Sequence, residues 1–301
     1  MADTTNPLRL IEVTRVTRIS PRMTRVTFGG PALADLALTG PDQQVKLYFP
    51  RPGQTVPLLP TMGPDDDVMR WYGAFQALPE EERPWSRSYT LRAHDPLRAT
   101  VDIDFVLHGG TGPGAGPATS WARSAAPGAV LGMFGPSAYF ATPVPVGTTD
   151  WTLLVGDETA LPAIGTLIEA LPVGARALAW IEVANAAEEQ RLRTAGDVTV
   201  RWLHRGTSPA GDGGPLLAAV RGARFPEGSA LAWLGGEAST VRALRRHLVG
   251  ERGLDRRSVH FSGYWRLALT QDDPPTEADL AEARERLADA RPEGTEGTEG
   301  D

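Results

Sequence analysis

Cysteine is absent from this chain of 301 residues. That excludes disulfides, a thiolate nucleophile, structural zinc of the cysteine type and cysteine-ligated iron–sulfur clusters. Any redox chemistry has to use a bound organic cofactor or a metal held without thiolates. Histidine is sparse: His94, His108, His204, His247 and His260 are scattered, and no His-x-x-x-His pair offers a metal cage. Lysine is almost missing. All but one of the 30 basic residues are Arg, and the exception is Lys46. No apolar run reaches the ~18 residues a membrane span needs. The start, MADTTNPLRLIEVTR, carries no apolar h-region of a secretory signal, so the expected location is cytoplasmic. An excess of positive charge is lacking too. With 37 acidic residues the formal charge is −7, which argues against a nucleic-acid partner while leaving room for a local basic pocket.

What is present is ordinary for a globular chain: 41% hydrophobic and 22% charged residues, at a length that suggests two domains. The first half reads as strands. Apolar and polar residues alternate in two runs from Leu10 to Phe28, then over Gln44–Phe49, Arg87–Arg92, Ala99–Leu107 and Ala129–Phe134. Six short strands separated by Gly and Pro predict a closed antiparallel barrel, with a short helix at Ala118–Ser124. A long insert, Arg51–Pro84, holds Asp65-Asp66-Asp67 and Trp71-Tyr72; it reads either as a functional loop or as a surface loop packed by its own aromatics.

The second half changes period. Short apolar runs at Trp151–Val155, Ala177–Val183, Val198–Leu203, Leu231–Leu234 and Val259–Tyr264 alternate with helical stretches at Leu161–Leu171, Pro215–Val220 and Ser239–Val249. This βα alternation predicts a parallel sheet covered by helices. The hinge is expected at Ala141–Asp150. The expected division is 1–143 for the barrel, 144–271 for the α/β domain and 272–301 for a C-terminal helix with an acidic tail, EGTEGTEGD, that has nothing to bury.

Three segments carry chemistry. In Arg87-Ser88-Tyr89-Thr90 the Arg and the Tyr fall on one face of a strand. There a ring can stack on a flat cofactor while a guanidinium pairs with phosphate, although an exposed Arg beside a core Tyr gives the same pattern. Asp104-Phe105-Val106-Leu107-His108 leads through a Gly-rich stretch, GGTGPGAG, into Pro117-Ala118-Thr119-Ser120, a strand, a loop and a helix start suited to phosphate or a plain flexible turn. Gly156-Asp157-Glu158-Thr159 lies between a parallel strand and a helix, where nucleotides bind in open α/β sheets, but Gly-x-Gly-x-x-Gly is missing. Asp157 there also reads as a helix cap.

In order along the chain, VKLYFP, RWYGAF, RSYTLR, VDIDFVLHG, GPATSWA, FGP, VGDETALPAI, VRWLHRG, LAWLGGE and SGYWR resemble the siderophore-interacting proteins. These are NAD(P)H-dependent ferric-siderophore reductases of the ferredoxin-reductase-like superfamily. RSYTLR is shared with many flavin reductases, whereas VGDETALPAI together with HG…GPATSWA is more specific.

The resemblance implies a six-stranded FAD-binding barrel followed by a nicotinamide-nucleotide domain. It implies that Arg87, Ser88, Tyr89 and Thr90 hold the flavin, with Tyr89 and Thr90 at the reacting ring. Asp104, Phe105, Val106 and His108 would line the rest of FAD, and Ala118, Thr119 and Ser120 its pyrophosphate. Asp157, Glu158, Thr159 and Glu237 would lie near the nicotinamide arm. Arg205 would suit a ribose 2′-phosphate. Lys46, Arg123 and Arg246 would form a basic cluster for an anionic ferric chelate, with no resident metal. Two other readings remain: a flavin reductase for another acceptor, or a non-catalytic siderophore-binding protein on the same scaffold.

Overall fold

The computed structural model describes residues 8–62, 67–108, 116–136 and 144–289. The Gly-rich stretch at 109–115, Asp65-Asp66, the start of the expected hinge and the acidic tail lie outside the described residues.

The first half forms one antiparallel sheet of seven strands: β1 Leu8–Ser20, β2 Met23–Gly29, β3 Gln44–Phe49, β4 Trp85–Thr90, β5 Ala93–Asp95, β6 Thr100–Val106 and β7 Val130–Phe134. Their order is β4-β3-β7-β1-β2-β6-β5. The expected six become seven because Ala93–Asp95, three residues too short to show a period, pairs with β6. The sheet curls on itself at Leu91-Arg92: Leu91 N donates to Gln43 O and Arg92 N to Asp102 O, so the end of β4 reaches β6. Strand β1 pairs with β7 through its first residues and with β2 through the rest, and two register shifts bend it. Alternate residues point inward. Ile11, Val26, Phe28, Leu47, Phe49, Ile103, Phe105, Leu131 and Met133 fill the barrel, each almost fully buried and worth roughly 2 kcal/mol of transfer from water.

The insert is not loop throughout. Helix α1, Val68–Gln76, starts where the Asp67 carboxylate accepts the Met69 N–H. Trp71 and Phe75, four residues apart, share one face. They pack on Tyr48 and Phe134 outside the barrel, with Trp71 and Phe134 ring centroids 5.7 Å apart. Helix α2, Pro117–Ser124, covers one barrel end.

The second half is a parallel five-stranded sheet of order β10-β9-β8-β11-β12, formed by β8 Trp151–Gly156, β9 Arg176–Val183, β10 Asp197–His204, β11 Ala230–Glu237 and β12 Val259–Trp265. Helices α3 Leu161–Glu169, α4 Gly214–Arg221 and α5 Ala238–Arg246 cover it, and α6, Glu277–Asp289, follows. The chain leaves β8 toward β9 and β10, then returns to the other side of β8 as β11. That reversal opens a crevice at the carboxyl ends of β8 and β11. Gly156 is required there, because a Cβ would lie 2.7 Å from Gly235 O. Among the described residues no helix is long and apolar enough to cross a membrane.

Polar contacts fasten the two sheets together. Arg92 donates twice to Glu169, at 2.8 and 2.6 Å. The Ser20 hydroxyl and the Arg22 N–H both donate to Glu188.

Candidate active site

Between the sheets lies a cleft of about 610 Å³, within the range of small-molecule sites. Strands β3 and β4 form its floor. The end of β6 and the start of α2 form one wall, the carboxyl ends of β11 and β12 another, and residues 269–282 close the far side.

Strand β4 pairs only with β3, so its outer backbone edge faces the cleft. Ser88 sits opposite Lys46 in the ladder, and its N–H points outward to Gln271 Oε1 at 2.9 Å. Arg87, Tyr89 and Thr90 line the cleft together with Ser88 and Lys46. Burial pushes the Tyr89 phenol above its usual range, so it stays protonated. Its ring lies 4.5 Å from that of Phe105. The Thr90 hydroxyl oxygen is buried beside the Tyr264 phenol, and neither makes a well-formed hydrogen bond among the described residues. A buried orphan of this kind costs ~1–3 kcal/mol, which a bound acceptor or donor would offset. Arg87 pairs with Asp272 at 2.6 Å.

Val106 and His108 also line the cleft. Desolvation lowers the His108 imidazole below its ordinary value, favouring the neutral ring. Helix α2 begins without a side-chain cap and with Pro117 in its first turn, and Ala118 and Thr119 reach the cleft there. Its first N–H groups are suited to an anion. Thr159 lines the opposite wall.

Other expected residues do different work. Asp104 faces Arg25 across β2 and β6 and accepts from it at 2.6 and 2.8 Å, so its carboxylate is consumed on the outer face of the barrel sheet. Phe105 is core, packed by Phe49, Tyr89 and Trp121. Ser120 is exposed outside the cleft lining. Asp157 is a buried hub: one oxygen accepts from the Thr159 N–H and hydroxyl, the other from Glu237 N at 3.0 Å and Trp265 Nε1 at 2.8 Å. Glu237 caps α5, accepting from the Thr240 N–H and the Ser239 hydroxyl. Glu158 holds Arg205 in a buried bidentate ion pair. None of these side chains lines the cleft.

The expected basic cluster is not assembled. Lys46 stands in the cleft, but Arg123 is exposed at the end of α2, where it donates to His108 O, and Arg246 is exposed on the last turn of α5. The residues that do join Lys46 are Tyr264, Trp265 and Arg266, which belong to the SGYWR motif but were given no site role, and Gln271. The available signal was the Tyr-Trp-Arg run closing the last parallel strand. Arg266 staples the following segment by donating to Asp279, at 2.8 Å, and to the carbonyls of Thr270, Asp273 and Pro274.

Residues 12–140 match the siderophore-interacting FAD-binding domain, and residues 149–268 match the siderophore-interacting protein family. The NADPH-dependent ferric-chelate reductase of Escherichia coli is 32% identical over 266 residues, covering 86% of this chain and 94% of that protein. Ferric vibriobactin reductase ViuB of Vibrio cholerae is 29% identical over 268 residues, covering 88% and 91%. The crystal structure of a siderophore utilization protein from T. fusca superposes with a TM-score of 0.75 at 39% identity, covering 89% of this chain and 96% of the other. A barrel joined to a parallel sheet, a cleft at their junction and these matches across both halves lead to one assignment: the chain belongs to the siderophore-interacting protein family.

Proposed function

We propose that the protein is an NAD(P)H-dependent, FAD-containing ferric-siderophore reductase. The observation that carries this reading is the convergence in one cleft of the outer edge of β4, the buried free hydroxyl of Thr90, the start of α2 and the carboxyl ends of β8, β11 and β12. The match to a FAD-binding domain and the names of the E. coli and V. cholerae relatives agree with it.

The residues fit the cofactor. Arg87 and the N–H groups at Ala118 and Thr119 supply positive ends for its pyrophosphate. The Tyr89 ring offers a face, and Thr90 a buried hydroxyl that makes no well-formed hydrogen bond among the described residues. Thr159, at the crevice where strand order reverses, stands where the nicotinamide arm would enter. FAD held there would supply the link between NAD(P)H, a two-electron hydride donor, and two one-electron ferric acceptors. Hard oxygen donors hold ferrous iron far more weakly than ferric iron, so reduction releases it from its chelator. The chain's task is position and field. Tyr89 stays protonated, His108 favours its neutral form, and Asp157 fixes the indole of Trp265 at the cleft wall.

The same reading divides the chain into a FAD domain over 1–143, a nucleotide domain over 144–271 and a C-terminal helix with an acidic tail over 272–301, of which Asp273, Pro275, Asp279 and Glu282 line the cleft. It carries a cytoplasmic location, the compartment that holds the NAD(P)H pool.

The test is an anaerobic visible spectrum of the protein supplied with FAD. A flavin band that bleaches with NADPH or NADH, and returns with a ferric siderophore as a ferrous trap colours, is the expected result. Bleaching without return would assign another acceptor. Failure to hold FAD would end the enzyme reading.

A further inference from the structure

Two buried hydroxyls meet at the floor of the cleft, and they come from different sheets. Among the described residues, Thr90 Oγ1 and Tyr264 Oη are the side-chain atoms of cleft-lining residues that are buried without a well-formed hydrogen bond. Thr90 ends β4 and stands opposite Gln44 in the ladder with β3. Tyr264 belongs to β12, the edge of the parallel sheet next to β11. Its phenol lies beside the Thr90 hydroxyl and the Gln44 carboxamide, and Gln44 lines the cleft as well.

The rest of Tyr264 is firmly held. Its carbonyl accepts from Gln271 Nε2 at 3.2 Å. Its ring meets Trp233 edge-on, with centroids 6.1 Å apart, and the Trp233 indole is itself tied to Asp42. A phenyl ring would make the same packing contacts, so the hydroxyl adds only a polar group that the protein does not satisfy. Burial pushes this phenol above its usual range, and it keeps its proton as a donor. Buried polar side-chain atoms in native structures nearly all have a partner, so an unmet pair side by side points to a ligand or an ordered water. The placement of the pair in the cleft favours the ligand.

We propose that Tyr264 is a flavin-contact residue: its phenol and the Thr90 hydroxyl together meet the polar edge of the FAD ring, one from each sheet. This rests on the FAD-dependent reading above and adds to it a residue from the nucleotide domain. A donor aimed at the ring is worth more when the ring carries extra electron density, so the phenol favours the reduced over the oxidised cofactor. Because its two hydroxyl contacts come from both halves of the chain, the bound ring also joins the barrel to the parallel sheet.

The experiment compares wild type with Tyr264→Phe. Flavin fluorescence quenching gives the FAD dissociation constant, a dye-coupled titration gives the midpoint potential of bound FAD, and a thermal melt gives the stability of the apo chain. The apo variant should melt no lower than wild type. Its dissociation constant for oxidised FAD should rise by about 2- to 12-fold, the worth of one hydrogen bond, and the midpoint potential should fall. A lower apo melt would show that the phenol is met inside the protein, and would overturn the proposal. So would a weaker FAD complex at an unchanged potential, since a packing effect acts on both redox states alike. If wild type holds FAD and the variant matches it in affinity and potential, this inference fails alone. If wild type itself holds no FAD, the reading above fails, and this inference with it.

Discussion

Asp42 Oδ2 accepts a hydrogen bond from Trp233 Nε1 at 2.9 Å and so ties the loop before β3 to the middle of the parallel sheet. The Asp42 N–H reaches the same sheet's helix, donating to Thr166 Oγ1 at 3.0 Å. With the Arg92–Glu169 pair, this contact holds the two walls of the cleft at a fixed separation.

The Asp42 joint predicts a dependence of stability on pH. Burial pushes its carboxyl from 3.8 up to about 6, against the opposing bond from Trp233. A folded state that prefers the protonated acid loses stability as pH rises: nothing is lost below the unfolded value, and the full cost is present above the folded one. The window is therefore about 4 to 6 for this group. Asp42→Asn keeps an oxygen for the indole and tolerates the positive φ of 58° at this position. It should stabilise the protein by roughly 3 kcal/mol at most near pH 8 and by next to nothing near pH 4. Denaturant melts of both chains at the two pH values check this; an equal effect at both would assign the change to packing instead of charge.

Thr90 is predicted to separate apo stability from cofactor affinity. Its hydroxyl is buried and makes no well-formed hydrogen bond among the described residues. Thr90→Val is close in shape and removes the orphan, so the apo protein should melt no lower than wild type. If the hydroxyl exists for the flavin, the FAD dissociation constant should rise by roughly 2- to 12-fold, the worth of one hydrogen bond. Flavin fluorescence quenching and a thermal melt of the apo chain measure the two quantities. Loss of both together would make Thr90 a packing residue.

The barrel and the parallel sheet were legible because their signals are local. Alternation located β1, β2, β3 and β6 within a residue or two, and the βα rhythm located the second half. Helix α1 was missed although Asp67, Trp71 and Phe75 carry a cap and an i, i+4 pair; the Pro and Asp run around them masked its start. Asp104 was expected at the cofactor, but its strand neighbour Arg25 lies directly across the ladder, a relation that appears only once register is known. The far wall of the cleft was illegible for a stronger reason. Gln271 meets Ser88 across 183 residues of chain, and no pattern inside either segment announces the other.

The insert helix should come loose without the barrel. Trp71 is 3% exposed and packs on Tyr48, Phe75 and Phe134 outside the barrel wall. Its indole also donates to Pro60 O at 2.9 Å. Trp71→Ala should lower stability by about 3 to 5 kcal/mol at most. The first consequence should be rapid proteolysis within 51–84 while the remaining fragments stay folded. Limited proteolysis with mass spectrometry reads this directly. Cleavage spread evenly over both sheets would show that α1 is part of the global core.

Arg205 is the residue whose expected role the geometry most changes. It follows β10, where a guanidinium suits a ribose 2′-phosphate, yet both its terminal nitrogens are given to Glu158 and the pair is buried. Asp157 and Glu182 add negative charge nearby, and burial pushes the Glu182 carboxyl up to about 7 despite Arg205. Arg205→Met would leave Glu158 buried and unpaired, at a cost of about 3 to 5 kcal/mol. Adding Glu158→Gln should restore most of that loss, since the unpaired charge is gone. Glu158→Gln alone frees the guanidinium and removes a negative charge, so kcat/KM should rise for NADPH relative to NADH. The size of the rise is bounded by one exposed phosphate–guanidinium contact, about fivefold. Steady-state kinetics with both nucleotides, beside melts of the single and double variants, decide the matter. An unchanged nucleotide ratio with the stability pattern intact would leave Arg205 as part of the scaffold alone and move nucleotide choice to another part of the cleft.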